Sequence, residues 1–469
     1  MFDTKFIKLF LQLNRKEKQN LKLWVHSPFA NARVDVTQLF DFIYSKRTIT
    51  IENIDKKLAF KSIYPNKKYN EQQLRYVMSF ATKCMADFLS YYQWQQSETS
   101  NKLALIKSIA YKNTDKFTAQ EINNTTVLLS NQRQKNSQHY LECYQLEIER
   151  YNLQSKNKRY ENFNLQAIAD NLHFYTIAEI LKQACVAVSF EQVSGKSFQF
   201  YLINECVALV EQDAIFKQIP AIYTYYLCYK ISTQGSDMIF QELYKVVFDY
   251  EVYFNEAEMK DIFLITINYC IKEMNVGQQN YAQFAYKLYL HALQKGYLLD
   301  NGELSRFTFK NIVFIGVKKL KDYKSVEQFI ATFQYAINEQ YRENTVLFNQ
   351  ATLFVAKKDY NRAMPILQKV EFEDVLWNLD AKSMLLRIYF EEKEYEAMLS
   401  LNKSFKLYIH RQKNLGIYKI RYKNMIQFCE KLYKHIGASK SKKILLKNEI
   451  EQHQNLPEKD WFLEQVVLL

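Results

Sequence analysis

The sequence ATLFVAKKDYNRAMPILQKV, residues 351–370, contains two apolar segments separated by the polar residues Lys-Lys-Asp. Apolar residues at helical spacing on both sides predict one helix, a tight turn and a second helix. The same turn, an acidic residue followed by tyrosine, recurs along the chain. Its three copies, 37 and 35 residues apart, are Asp322-Tyr323, Asp359-Tyr360 and Glu394-Tyr395. This part of the chain is therefore predicted to consist of repeated helix pairs.

The repeated pair resembles the tetratricopeptide repeat, which has a period of about 34 residues. The small, aromatic, turn-tyrosine and second small positions of that repeat correspond here to Ala351, Phe354, Tyr360 and Ala363. The next unit keeps the aromatic residues Tyr389 and Tyr395. It has Leu386 and Met398 where small residues are expected, and both units lack the final proline of the repeat. The resemblance covers residues 301–454 and implies helix pairs that pack against their neighbours.

The composition of the whole chain is typical of a folded, helix-rich protein. Hydrophobic residues make up 48% of the 469 residues, and there are only 8 glycines and 5 prolines. This scarcity favours helices joined by short turns, so the sequence predicts an all-α fold. The expected architecture is an α-solenoid of antiparallel helix hairpins that is tetratricopeptide-like in its C-terminal third. The predicted regions are an N-terminal helical domain (1–95), a polar connecting region (96–135), irregular helical hairpins (136–300), the repeats (301–454) and a C-terminal tail (455–469).

The N-terminal domain allows a second interpretation. Asn14 and Glu17 resemble a capping box that opens a helix, and a long helix is expected near residues 70–95. A short helix, a turn and a longer helix also form the outline of helix-turn-helix DNA-binding proteins. The long helix lacks a clear basic face, so we favour ordinary packing within a helical domain.

Residues that could support catalysis or cofactor binding are not grouped in the sequence. The first 194 residues contain no glycine, and Gly195-Lys196-Ser197 lacks the earlier glycine of a phosphate-binding loop because that position is Phe190. The seven cysteines and seven histidines show no zinc-binding spacing. We therefore expect no enzymatic activity, no cofactor and no metal ion. No stretch reaches the roughly 20 apolar residues of a membrane span, so a cytoplasmic location is expected.

One segment has a charge that stands out from the rest of the chain. Residues 403–447 contain thirteen Lys or Arg and one acidic residue, a net charge of +12, while the whole chain has a net charge of +13. Tyrosine and aliphatic residues at helical spacing between 418 and 436 predict an apolar stripe, which leaves the lysines on the adjacent face. The lysines with which we associate binding are Lys419, Lys423, Lys431, Lys434, Lys440, Lys442 and Lys443. They could face solvent, an acidic protein partner or a phosphate backbone.

These observations favour a non-enzymatic scaffold or adaptor that binds a protein partner, because helical arrays present extended concave surfaces. The alternative is a nucleic-acid-binding protein that uses the basic segment 403–447. The chain as a whole is also similar in length, and in stretches such as HSPFAN (residues 26–31), to uncharacterised proteins of Bacteroidota. That similarity implies no particular function.

Overall fold

The computed structural model describes residues 1–46, 48–50, 53–112, 114–156, 162–369, 374–412 and 415–469. Within these residues the chain forms 24 α-helices and one two-stranded β-hairpin. The all-α class predicted from the sequence is therefore confirmed. The chain divides into two compact units, Met1–Thr176 and Ile177–Leu469.

The first unit contains the first eight helices of the chain. They are α1 (Lys5–Gln12), α2 (Arg15–His26), α3 (Val34–Tyr44), α4 (Lys56–Ile63), α5 (Glu71–Gln95), α6 (Glu98–Ala110), α7 (Asp115–Asn131) and α8 (Ser137–Ser155). The boundary between the units falls within α9 (Leu165–Ser194). The predicted capping box is confirmed, because the Asn14 amide side chain accepts the Glu17 N–H at 2.9 Å and the Glu17 carboxylate accepts the Asn14 N–H at 2.8 Å.

Helices α1 to α5 share one hydrophobic core. Its largest fully buried side chains include Phe6, Phe40 and Phe60. The long helix expected near residues 70–95 is α5, and its apolar face, from Leu74 to Phe88, packs into this core. Burial of that face is consistent with the packing role favoured above.

Residues 96–135, interpreted above as a polar connecting region, contain the two helices α6 and α7 in the structure. These helices pack against each other and against α8 around Leu103, Ile106 and Ile122. The polar residues of these two helices suggest exposed connections. Some of them are buried instead, because threonine hydroxyls here donate to the carbonyl oxygen of the preceding helical turn. Thr125 is fully buried, and its hydroxyl donates to the Glu121 carbonyl at 2.8 Å.

The second unit contains the remaining helices and the hairpin. The helices are α10 (Ile203–Gln212), α11 (Ala214–Lys217), α12 (Pro220–Thr233), α13 (Asp237–Asp249), α14 (Glu256–Asn275), α15 (Tyr281–Gln294), α16 (Arg306–Phe314), α17 (Tyr323–Phe333), α18 (Glu339–Ala356), α19 (Tyr360–Lys369), α20 (Val375–Glu391), α21 (Tyr395–Arg411), α22 (Ile417–Lys434), α23 (Lys440–Gln452) and α24 (Lys459–Leu468). The hairpin pairs β1 (Leu299–Asp300) with β2 (Glu303–Leu304), and a π-helical segment, Ile315–Leu320, extends α16.

The three predicted turns share one backbone conformation. In each turn the backbone of a lysine adopts the left-handed conformation, and the tyrosine two residues later begins a helix. These lysines are Lys321 (φ 56°), Lys358 (φ 60°) and Lys393 (φ 62°). The residue after the lysine donates its backbone N–H to a carbonyl of the preceding helix. Asp359 donates to the Phe354 carbonyl at 2.9 Å, and Glu394 donates to the Tyr389 carbonyl at 2.8 Å. The turns predicted near residues 322, 359 and 394 are therefore confirmed.

The residues assigned to the repeat lie between neighbouring helices. Ala351, Tyr360 and Ala363 are buried in a core shared by α18, α19 and α20, whereas Phe354, Tyr389 and Tyr395 are half-buried. Consecutive helices pack as the pairs α18–α19 and α20–α21, and α16, α18, α20 and α22 contact one another in chain order. These contacts join neighbouring helix pairs. A continuous solenoid and its tetratricopeptide-like character stay predictions.

The C-terminal residues 455–469, described above as a tail, contain α24. Trp461, Phe462 and Val466 of this helix are buried in the core formed by α20 to α23. The C-terminal helix is therefore an integral part of the second unit.

Candidate functional site

Helices α22 and α23 carry the predicted basic segment. One face of α22 is buried through Tyr422, Met425, Ile426, Cys429 and Leu432, which are five members of the predicted apolar stripe. They pack in a core with Leu379 and Phe405. The remaining members, Tyr418, Tyr433 and Ile436, stay exposed. Burial of this face directs the basic residues of α22 away from the core.

The seven lysines predicted as binding residues are all accessible, to different degrees. Lys423, Lys434, Lys440 and Lys442 are exposed, and Lys419, Lys431 and Lys443 are half-buried. Lys413, which belongs to the same basic segment, lies outside the described residues. The structure thus places the predicted residues on two consecutive helices, α22 and α23, of the second unit.

Part of the positive charge is neutralised within the protein. The ion pairs of the segment are Lys406–Glu430, Lys431–Glu449 and Lys447–Glu451. Two of these acids follow the segment counted above, and inclusion of residues up to 451 lowers its net charge from +12 to +10. Among the seven predicted lysines, Lys431 is the one that forms an ion pair within the described part of the chain. The other six keep their charge available to a partner.

The tyrosines of this segment differ in what they could contact. Tyr422 is buried, and its hydroxyl donates to Asp380 Oδ1 at 2.6 Å. Burial raises the pKa of this hydroxyl well above the ordinary value. Tyr418 and Tyr433 are exposed, with Tyr433 packed against the Tyr395 ring at a centroid distance of 5.3 Å. Stacking of nucleic-acid bases on α22 would therefore depend on the exposed tyrosines Tyr418 and Tyr433.

A partly buried ion cluster, which the sequence did not indicate, joins three elements of the second unit. Glu458, at the start of α24, accepts Lys318 Nζ at 2.9 Å and Arg387 Nη1 at 2.8 Å on the same carboxylate oxygen. Lys318 lies in the π-helical segment and Arg387 on α20. The side chains are 23%, 12% and 30% exposed for Lys318, Arg387 and Glu458, so water screens their charges only partly.

The electrostatics of the cluster follow from these contacts. Burial alone would raise the pKa of Glu458, but the positive charges of Lys318 and Arg387 outweigh burial and lower that pKa to about 2. Burial lowers the pKa of Lys318, and the Glu458 carboxylate opposes that change. The carboxylate is therefore ionised at neutral pH and compensates two cations.

The cluster borders a cavity of about 100 Å³. On its other side, Asp380 accepts Lys310 Nζ at 2.8 Å and the Tyr422 hydroxyl. The cavity has room for a few water molecules, each of which occupies about 30 Å³ in the liquid. The carboxylates accept from all three cations, although Arg387 Nε has no hydrogen-bond partner within the described residues. We interpret the cluster as the connection that holds α24 against the π-helical extension of α16 and against α20.

A histidine–cysteine pair in the first unit is the arrangement that most resembles a catalytic one. His139 Nε2 lies 3.6 Å from the Cys143 sulfur, and His139 Nδ1 lies 3.0 Å from Gln132 Oε1. Burial and the nearby Lys135 lower the pKa of His139 to about 4, and burial raises the pKa of the Cys143 thiol to about 11. Both groups are neutral near pH 7, whereas a nucleophilic cysteine must be a thiolate. The pair therefore lacks the activation that catalysis requires.

The described residues contain no group of three or more His, Cys, Asp or Glu side chains that could hold a metal ion. Of the helices they form, none combines the length and the apolar character needed to cross a bilayer.

Comparison of the chain with protein-family models, with curated proteins and with solved structures found no significant match. The function must therefore be argued from the chain's own residues.

Proposed function

We propose that the protein is a non-enzymatic helical-repeat scaffold that binds a protein partner with an acidic surface through the outer face of α22 and α23. The observation that carries this proposal is a row of lysines that form no ion pair within the described residues, on a helix whose adjacent face is buried in the core. The repeated turns support an extended α-solenoid, which is an architecture suited to binding proteins.

The geometry of α22 favours an extended partner. At 100° per residue, Lys419, Lys423 and Lys434 fall within a sector of roughly 60° on one face of the helix. They span 15 residues, which corresponds to roughly 22 Å along the helix axis. Lys440 and Lys442 on α23 add exposed charge. Such a strip complements an acidic helix or an acidic extended segment better than it complements one small anion.

Nucleic-acid binding through the same segment is the second candidate function. The six lysines of the predicted set without ion pairs within the described residues are point charges suited to phosphate groups. Binding of this kind would show little sequence preference, because phosphate contacts position a protein without reading bases. The protein-binding function ranks first because Tyr422, the central tyrosine of α22, is buried and cannot stack on bases.

The test uses two triple variants of the full chain with equal changes in charge. The first carries Lys419→Glu, Lys423→Glu and Lys434→Glu. The control carries Lys245→Glu, Lys272→Glu and Lys287→Glu, because these lysines are exposed on α13, α14 and α15 and form no ion pair within the described residues. Both variants should keep the helical circular dichroism spectrum of the wild type.

Affinity capture from nuclease-treated extract, followed by identification of the bound proteins, measures the leading function. The wild type and the control should retain the same acidic protein, and the first variant should lose it. Retention by the first variant would contradict the proposed surface. Electrophoretic mobility shifts of DNA and RNA at increasing salt measure the second function. Five phosphate contacts predict a slope of log affinity against log salt of roughly −4 on duplex DNA, and no shift at low salt would exclude that function.

A further inference from the structure

A second basic surface lies in the first unit, on α2. A cleft of about 450 Å³ is lined by Arg15, Lys18 and Lys22 of this helix and by Lys46, just after α3. Its apolar walls include Leu11 and Ile49, and Phe10 and Tyr44 also line it. This cleft contains none of the seven lysines predicted from the sequence.

The cations of the cleft are not neutralised within the described residues. No acidic side chain lines the cleft there, and none of its four basic residues forms an ion pair. Other cations of this unit are paired, as Arg33 is with Asp35 at 2.7 Å. The one acidic residue of α2, Glu17, is engaged in the capping box at the start of the helix. Positive charge in a concave surface attracts anions, because the low-dielectric walls concentrate the field.

Aromatic rings contact three of these cations, among them Lys46, whose Nζ lies 4.6 Å from the centroid of the Phe42 ring. Lys18 Nζ lies 5.3 Å from the centroid of the Phe10 ring, and Lys22 Nζ lies 5.7 Å from that of Tyr44. The Tyr44 hydroxyl donates to the Lys18 carbonyl at 2.7 Å, which ties α3 to α2 beneath the lysines. Cation–π contacts of this kind restrict the side chains before a ligand arrives. An anion in the cleft would thus meet ammonium groups that are already positioned.

The cations form a row along one helix face. Arg15, Lys18 and Lys22 follow i, i+3, i+7 spacing, so they rise by roughly 4.5 Å and then roughly 6 Å along the helix axis. A single phosphate group would need donors that converge on one point. A row of separate point charges instead matches a linear chain of phosphates. Three of the four cations are lysines, which bind phosphate as point charges, and Arg15 can contact a phosphate through two N–H groups.

We propose that this cleft binds the phosphate backbone of single-stranded nucleic acid. A positively charged groove that follows the backbone is the usual means of binding single strands. The apolar walls at Leu11 and Ile49 can contact bases, which a duplex would keep inside its helix. The Phe10 ring is buried and Tyr44 is half-buried, so we expect little preference for base type. The proposal is independent of the protein-binding role of α22 and α23.

The experiment measures fluorescence anisotropy of labelled oligo(dT) with the full chain. The cleft variant carries Lys18→Gln and Lys22→Gln, which removes two charges and keeps much of the aliphatic stem that covers the rings. The matched control carries Lys57→Gln and Lys61→Gln, two exposed lysines of α4 at i, i+4 spacing that do not line the cleft. The Lys419, Lys423 and Lys434 triple variant is measured in parallel. Circular dichroism verifies that each variant is folded.

Two lost contacts should lower the slope of log affinity against log salt by roughly 1.4 on a single strand. Extrapolated from 1 M salt, this is a loss of affinity of roughly 25-fold at 0.1 M salt for the cleft variant. The α4 control should stay within about twofold of the wild type. This pattern would support the proposal.

Several outcomes would overturn it. These are unchanged affinity in the cleft variant, an equal loss in the α4 control, or a loss seen with the α22 triple variant alone. Two competitors test the chemistry of the ligand. Polyglutamate that displaces oligo(dT) as well as unlabelled oligo(dT) does would show a general polyanion site. Inorganic tripolyphosphate that binds when oligo(dT) does not would show a small-anion site.

Discussion

Neutralisation of Glu458 should lower the free energy needed to open the C-terminal helix α24, because the carboxylate compensates two cations of the partly buried cluster. The carboxylate has a folded-state pKa of about 2 against an ordinary value of 4.5. At 1.36 kcal/mol per pKa unit, the lowering corresponds to about 3 kcal/mol of stability at neutral pH. Removal of one partner from a buried ion pair typically costs about 3–5 kcal/mol, because the remaining charges lose their compensation. Glu458→Gln leaves Lys318 and Arg387 in that state.

The sign of the pH dependence follows from the lowered pKa. A group whose folded-state pKa lies below its unfolded value stabilises the fold above the unfolded value. The stabilisation is lost as pH falls through the folded value. For the wild type, the contribution of Glu458 should therefore be complete above about pH 5 and decline steadily from there toward pH 2. In Glu458→Gln this contribution is absent at every pH.

Hydrogen exchange measured by mass spectrometry gives the opening free energy of α24 directly. Wild-type protection factors in α24 should decline as pH falls from 5 to 3. In Glu458→Gln the opening free energy of α24 should be lower by about 3 kcal/mol at pH 7, and the protection factors should depend less on pH. Glu464→Gln is the control, because Glu464 is exposed on the same helix and forms no ion pair within the described residues. Equal pH dependence in wild type and Glu458→Gln would refute the reasoning.

Three further substitutions test the packing of the repeats through urea unfolding monitored by circular dichroism. Tyr360→Ala should destabilise by about 3–5 kcal/mol, because the ring is buried; Tyr360→Phe should cost about 1 kcal/mol, because it loses the hydrogen bond to Glu391. A change below about 0.5 kcal/mol in Tyr360→Ala would contradict the repeat assignment. Gly316→Ala should destabilise by about 1–3 kcal/mol, although alanine usually stabilises helices, because its Cβ would overlap Val326. A stabilised Gly316→Ala protein would show that this contact can relax.

Local signals in the sequence determined several of the helices and the three turns of the repeats. The capping pair Asn14 and Glu17, the periodicity of α5 and the acid–tyrosine turn at Asp359 are each encoded within a few residues. The apolar stripe of α22 likewise predicted which of its faces is buried. These features could be predicted because hydrogen bonding and burial depend there on neighbours along the chain.

Helices α6 and α7 were not predicted because their polar residues suggested exposed loops. A threonine hydroxyl can be buried there when it donates to a backbone carbonyl of the same helix, as that of Thr125 does. The free positive charge of the basic segment was overestimated because two acidic residues beyond it in sequence neutralise part of it. Glu451 pairs with Lys447 within α23, whereas Glu449 of α23 pairs with Lys431 of α22. The pair between helices depends on packing, which a count of charges does not include.

The sequence by itself determined the all-α class, the positions of the three turns and the presence of excess positive charge near the C-terminus. Only the tertiary structure brought Glu458 to Lys318 and Arg387, which are 140 and 71 residues away along the chain. It also placed Lys46 beside the row of cations on α2 to form one cleft. The physical reason is that both arrangements depend on the packing of distant helices, which the pattern within any one helix does not specify.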